Sequence, residues 1–108
     1  MILGLDVSTS ITGITVMDTG GAVAANISVD TRNKKNFKHI NDVARAIRAA
    51  LRELKVLHKI DHIMIEESVQ SFRAGFSSAK TISVLSKING IVTFICEEEF
   101  GILPQKIA

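Results

Sequence analysis

Ile2-Leu3-Gly4-Leu5-Asp6-Val7-Ser8-Thr9-Ser10-Ile11-Thr12-Gly13 is the stretch that decides the fold class. Residues 2–7 are nearly all apolar, the pattern of a central strand covered on both faces. The run closes on an acid, Asp6, and passes into a turn of small hydroxyl residues. Residues 12–18 read as a second strand, with Ile14 and Val16 on one face and Gly13, Thr15 and Met17 on the other. Gly20-Gly21 is a hairpin signal. In residues 22–30, Val23, Ala25, Ile27 and Val29 alternate as a third strand does. Three antiparallel strands in succession make a meander.

Residues 31–36 are polar and read as a loop. Phe37, Ile40, Val43, Ala44, Ile47, Leu51 and Leu54 then recur at three- and four-residue steps, which predicts a long amphipathic helix. Residues 60–66 form the next strand. It closes as the first one does, with Ile63-Met64-Ile65 running into Glu66. Residues 68–77 read as a loop. A second helix spans 78–98, with Ile82, Leu85, Ile88, Ile91, Val92 and Ile95 on its apolar side. Residues 100–103 read as a short last strand, and Pro104 opens a further helix at its first turn. The order β-β-β-α-β-α-β predicts an α/β fold, a mixed sheet with helices packed on it.

The length, 108 residues, suits a single small domain over 1–108. A hydrophobic share of 46% in periodic runs is enough for a core. The uninterrupted apolar stretches fall short of the ~20 residues that span a bilayer, so no membrane partner is expected. An early acid and the lack of a basic start argue against a signal peptide. Cys96 is the only cysteine, fits a reducing, cytoplasmic setting and reads as a small core residue. The net charge of +2 says little about partners. Its distribution says more: Arg32, Lys34, Lys35, Lys38, Arg45, Arg48, Arg52, Lys55 and Lys59 face only Asp42 and Glu53 across that segment. Such a stretch can track phosphates or form a solvated helix face.

Asp6 and Glu66 are the candidate catalytic and metal-binding residues. A carboxylate at the end of a buried strand is costly without a partner, and two such acids side by side make an oxygen-ligand site for Mg²⁺ or Mn²⁺. The alternative for Asp6 is a turn cap. Neighbouring strand residues point to opposite faces, so only one of Glu66 and Glu67 can face Asp6. Glu67 is a possible additional acid or a solvent-exposed one. His39, His58 and His62 lack ligand spacing and read as surface or structural residues. Glu97-Glu98-Glu99 reads as a solvated helix end. Phe72, Arg73 and Phe76, in the loop after Glu66, can stack on a base and hold its phosphate, or the aromatics can seal the core.

The two strand–acid blocks resemble the RuvC family of Holliday-junction resolvases, within the RNase H-like superfamily. Residues 2–13 look like its opening block of strand, Asp and Ser/Thr/Gly turn. Ile63-Met64-Ile65-Glu66-Glu67 looks like the block ending in the catalytic Glu. The loop with aromatics and the 78–98 helix, with Gly90 inside it, follow in the family's order. The resemblance covers about the first two-thirds of the family. It implies a metal-dependent endonuclease that cleaves branched DNA, two ions in the complete enzyme, and a homodimer formed through the 78–98 helix in a bacterial or phage cytoplasm. The family carries further acids on a last helix, and no acid follows Glu99 here. The 108 residues alone are therefore expected to cleave poorly or not at all. Two other readings stand beside this one: a non-catalytic DNA-binding or assembly module of the same fold, and the amino-terminal piece of an actin-like or sugar-kinase ATPase.

Overall fold

Leu3, Leu5, Ile63 and Ile65 are spaced two apart on two strands, and all four are buried on one side of the sheet. The structure, a computed structural model, describes residues 1–66 and 79–107. In chain order its elements are β1 (Ile2–Asp6), β2 (Ile11–Met17), β3 (Val23–Asp30), α1 (Ile40–Leu57), β4 (His62–Glu66), α2 (Ala79–Phe100) and β5 (Gln105–Ile107). They make one mixed sheet of five strands in the order β3-β2-β1-β4-β5. β1, β2 and β3 form the antiparallel meander that the alternation predicts. β4 runs parallel to β1, and β5 parallel to β4. A parallel neighbour needs a crossover rather than a hairpin, and α1 supplies it between β3 and β4.

The hairpin between β2 and β3 follows from its residues. Asp18 Oδ1 accepts from the amides of Gly20 and Ala22, both at 2.9 Å. Gly21 takes φ 89°, a left-handed conformation that glycine adopts without steric cost. The core is a single cluster on one side of the sheet. Val43, Ala44, Ile47, Leu51 and Leu54 of α1 and Ile88, Val92, Ile95 and Cys96 of α2 pack there with Leu3, Leu5, Ile14, Val16, Ile63 and Ile65. The other side carries Ile2, Gly4, Thr15, Met17 and Met64. Among the described residues, only the sheet itself lines it.

Four local expectations need correction. The last strand is Gln105–Ile107, not 100–103. Helix α2 continues through Phe100, and Gly101 ends it at φ 67° with its amide on Glu97 O at 2.8 Å. That is the left-handed glycine cap of a helix C-terminus. Pro104 accordingly precedes a strand rather than opening a helix. Helix α1 starts at Ile40 rather than Phe37, because His39 caps it: its Nδ1 accepts from Asn41 N at 3.1 Å, and Asp42 Oδ2 accepts from His39 N at 2.9 Å. Finally, α2 is by length and composition long and apolar enough to cross a membrane. Uninterrupted apolar runs in α2 are short because Ser, Thr, Asn, Gly and two lysines, Lys80 and Lys87, break them, while the mean hydropathy stays high. In the structure α2 is part of the helical layer, with one side in the core.

Cys96 is fully buried, and removal from water pushes its thiol up to about 12. The thiolate is the reactive form. Cys96 is therefore expected to resist alkylation near pH 8 in the native protein and to react promptly in denaturant. Fast labelling without denaturant would show that α2 does not seat as described.

Candidate metal and nucleic-acid site

Asp6 is the last residue of β1 and Glu66 the last of β4, and they stand opposite each other in the parallel ladder. Paired residues on neighbouring strands point to the same face, across backbones about 4.8 Å apart. Leu5 and Ile65, one residue earlier on each strand, face the core. Asp6 and Glu66 therefore face the open side, where both are exposed. They line one groove of about 470 Å³ whose floor includes Gly4, Gly13, Thr15 and Met64. Gly13 is the β2 partner of Asp6, and a Cβ added there would lie 3.9 Å from Asp6 Cβ. Glycine leaves that space beside the carboxylate open.

Water reaches both acids, so they carry no burial cost. What stands out is their arrangement. Among the described residues, neither carboxylate has a hydrogen bond or an ion pair. Two adjacent negative charges without a counter-cation repel each other, and a cation between them relieves that repulsion. The donors are hard oxygens on neighbouring strand ends, the ligand type that Mg²⁺ and Mn²⁺ take. Asp6 and Glu66 would hold such an ion from the sheet side. No group of three or more His, Cys, Asp or Glu that could hold a metal occurs among the described residues.

Thr12 and Thr31 are the buried polar residues among those described, each 1% exposed, and both brace the turn after Asp6. Thr12 Oγ1 donates to Ser8 O at 3.1 Å and accepts from Ser8 N at 3.2 Å. The Thr31 hydroxyl shares its proton between Ser10 O at 3.0 Å and Thr9 O at 3.2 Å. The Thr31 amide also donates to Ser10 O, at 2.7 Å. The end of β3 thus ties down the 8–10 turn. Thr31 lies just past β3, in the loop that the polar 31–36 stretch predicts. Its bracing role was not foreseen, although Thr31 continues the phase of Val23, Ala25, Ile27 and Val29 and is itself β-branched.

The remaining candidates divide. Glu67, Phe72, Arg73 and Phe76 lie outside the described residues. His39 is a helix cap. Two of the three acids at the end of α2 are not a simple solvated terminus. Arg48 Nη2 donates to Glu98 at 2.7 Å, and Arg52 Nε donates to Glu99 at 2.9 Å. These contacts lock α2 to α1, and the Arg52 guanidinium holds the Glu99 carboxyl below the usual carboxylate range.

The fold has solved counterparts. The chain superposes on Thermus thermophilus RuvC in complex with a Holliday junction substrate with a TM-score of 0.77 at 15% sequence identity. It superposes on a second Thermus thermophilus RuvC structure with a TM-score of 0.61 at 20% identity. Each match covers 98% of this chain and 62% of the solved chain. No family model and no curated protein matches the sequence. The fold is thus the α/β, RuvC-like one, and the chain spans 62% of the length of its solved counterparts.

The buried bracing of the 8–10 turn has a measurable cost of removal. Thr31→Val keeps the shape and deletes the hydroxyl, which should lower unfolding free energy by about 1–2 kcal/mol. Thr31→Ser should recover most of that loss. Urea denaturation of the three proteins checks this, and an unchanged midpoint for Thr31→Val would show that the hydroxyl does not hold the turn.

Proposed function

We propose that this chain carries the sheet half of a divalent-metal nuclease site acting on branched DNA. The observation that carries the reading is the in-register pair Asp6 and Glu66, without a partner among the described residues, at the end of a RuvC-like sheet. The solved counterpart in complex with a Holliday junction supports a four-way junction as the DNA. A Mg²⁺ or Mn²⁺ ion there supplies Lewis-acid assistance to phosphodiester hydrolysis. Asp6 and Glu66 hold and orient it, and the open groove beside them leaves room for the phosphate. With two protein carboxylates, metal affinity is on the order of millimolar.

The complete site needs further acids. The open face of the sheet, apolar through Ile2, Met17 and Met64, is where an added helix would pack and bring them. Assembly as a homodimer through α2 is part of the same proposal. Phe94 is 61% exposed on α2, away from the buried Val92, Ile95 and Cys96, and a two-fold dimer, the commonest homo-oligomer, would cover it. Asp6 and Glu66 are the carboxylates that line the groove among the described residues, which also fits a second reading, in which the fold binds branched DNA without cutting it.

Cleavage of a synthetic four-way junction separates the two. The 108-residue chain should bind the junction and cleave it poorly or not at all. A chain extended past Ala108 by an acid-bearing helix should nick it in Mg²⁺. In that longer chain, Asp6→Asn or Glu66→Gln should abolish nicking and leave junction binding within about twofold. Robust Mg²⁺-dependent cleavage by the 108 residues alone would show that another acid, Glu67 first, completes the site. Extended chains that bind and never cut would favour the non-catalytic reading.

A further inference from the structure

The basic stretch between Arg32 and Lys59 is not one patch, because ion pairs divide it. Arg32 forks onto Asp30, with Nε 3.0 Å from Oδ1 and Nη2 2.8 Å from Oδ2. That guanidinium holds the Asp30 carboxyl at about 2. Arg45 Nη1 donates to Asp42 at 3.0 Å, and Arg48 and Arg52 are occupied by Glu98 and Glu99. Each of these arginines is already matched by a carboxylate. Lys34, Lys35 and Lys38 are exposed and have no carboxylate partner among the described residues. The same is true of Lys55 and Lys59.

Position separates the two lysine groups. Asp30 pairs with Ile11, and Thr31 is bonded to Ser10, so the chain leaves β3 at the same end of the sheet as Asp6 and Glu66. Lys34, Lys35 and Lys38 lie on that departing segment. Lys55 is in the last turn of α1, and the Lys59 carbonyl accepts from the Met1 ammonium at 3.1 Å, at the start of β1. Those two belong to the far end.

The near segment is also built, not loose. Thr31 anchors one end to the 8–10 turn, and Phe37 packs against the core at the other. Between them, Asn33 O accepts from Asn36 N at 3.1 Å and from Phe37 N at 2.9 Å. Asn33 Oδ1 accepts from Lys35 N at 2.9 Å. Lys34 and Lys35 therefore sit on a closed turn at the carboxylate end of the sheet.

We infer that Lys34, Lys35 and Lys38 form a phosphate-contacting patch that seats a nucleic-acid backbone beside Asp6 and Glu66. This rests on the DNA reading above and names the cations that deliver the strand. The carboxylate pair repels a phosphodiester, so a strand reaching it needs positive charge close by that is not already neutralised. Ammonium groups on a turn read no bases, so the contact is sequence-independent.

The test is fluorescence anisotropy with a labelled synthetic four-way junction between about 50 and 200 mM salt. The wild-type chain should show log K falling linearly with log salt. Each phosphate contact adds roughly 0.9 to that slope. The triple variant Lys34→Gln, Lys35→Gln, Lys38→Gln should therefore flatten it by about 2 to 3. The double variant Lys55→Gln, Lys59→Gln, at the far end, should leave it unchanged. A triple variant with the wild-type slope would overturn the inference, and so would a far-end variant that flattens it equally. A wild-type chain with no salt-dependent junction binding would overturn the nucleic-acid reading and this patch with it.

Discussion

The in-register parallel pairing of β1 with β4 is the constraint on which the site depends. A slip of one residue would turn Glu66 toward the helices and bring Ile65 out to water. Leu3, Leu5, Ile63 and Ile65 oppose that slip, since all are at most 3% exposed. Fully burying one such side chain stabilises by about 1.5–3 kcal/mol, so losing several at once outweighs any gain from parting two carboxylates. The apolar core sets the register, and the register sets Asp6 beside Glu66. Adjacency of the charges is a consequence of packing on the opposite face.

That chain of causes explains how much was legible beforehand. Residues 2–6 and 63–66 share one grammar, an apolar run ending in an acid, and period-two alternation marks β2 and β3. Those signals are local and strong, and they lead to the α/β order and the meander. The end of α2 was misread because its apolar stripe runs on into Phe100-Gly101-Ile102-Leu103, and apolar residues alone do not distinguish a helix end from a short strand. Gly101 and Pro104 together carried the stop signal. Thr31 was missed because its partners, Thr9 and Ser10, are some twenty residues away in sequence. The pairing of Arg48 and Arg52 with Glu98 and Glu99 spans about fifty residues and depends on how two helices dock. Nothing in either segment alone announces it.

The two faces of the sheet are unequal, and the inequality has a functional side. One face is filled by α1 and α2 and carries the stability. The other is a shallow apolar floor that ends in two acids and, among the described residues, is lined only by the sheet. Parallel strands such as β1, β4 and β5 are ordinarily covered on both faces. Among the described residues, the open side is where the proposed Asp6–Glu66 site lies. The same end of the sheet gathers the braced 8–10 turn and the lysine-bearing turn after β3, while Arg48 and Arg52 of α1 serve the helix–helix contact.

Whether Asp6 and Glu66 act as one cation site can be read from amide line broadening in a ¹H–¹⁵N correlation spectrum during Mn²⁺ titration. The amides at the ends of β1 and β4 should broaden together, at the same Mn²⁺ concentration, and Asp6→Asn should remove the effect at both strands. Broadening at only one of the two strand ends, or broadening spread over unrelated exposed acids such as Glu53 and Glu97 and indifferent to Asp6→Asn, would contradict a single shared site.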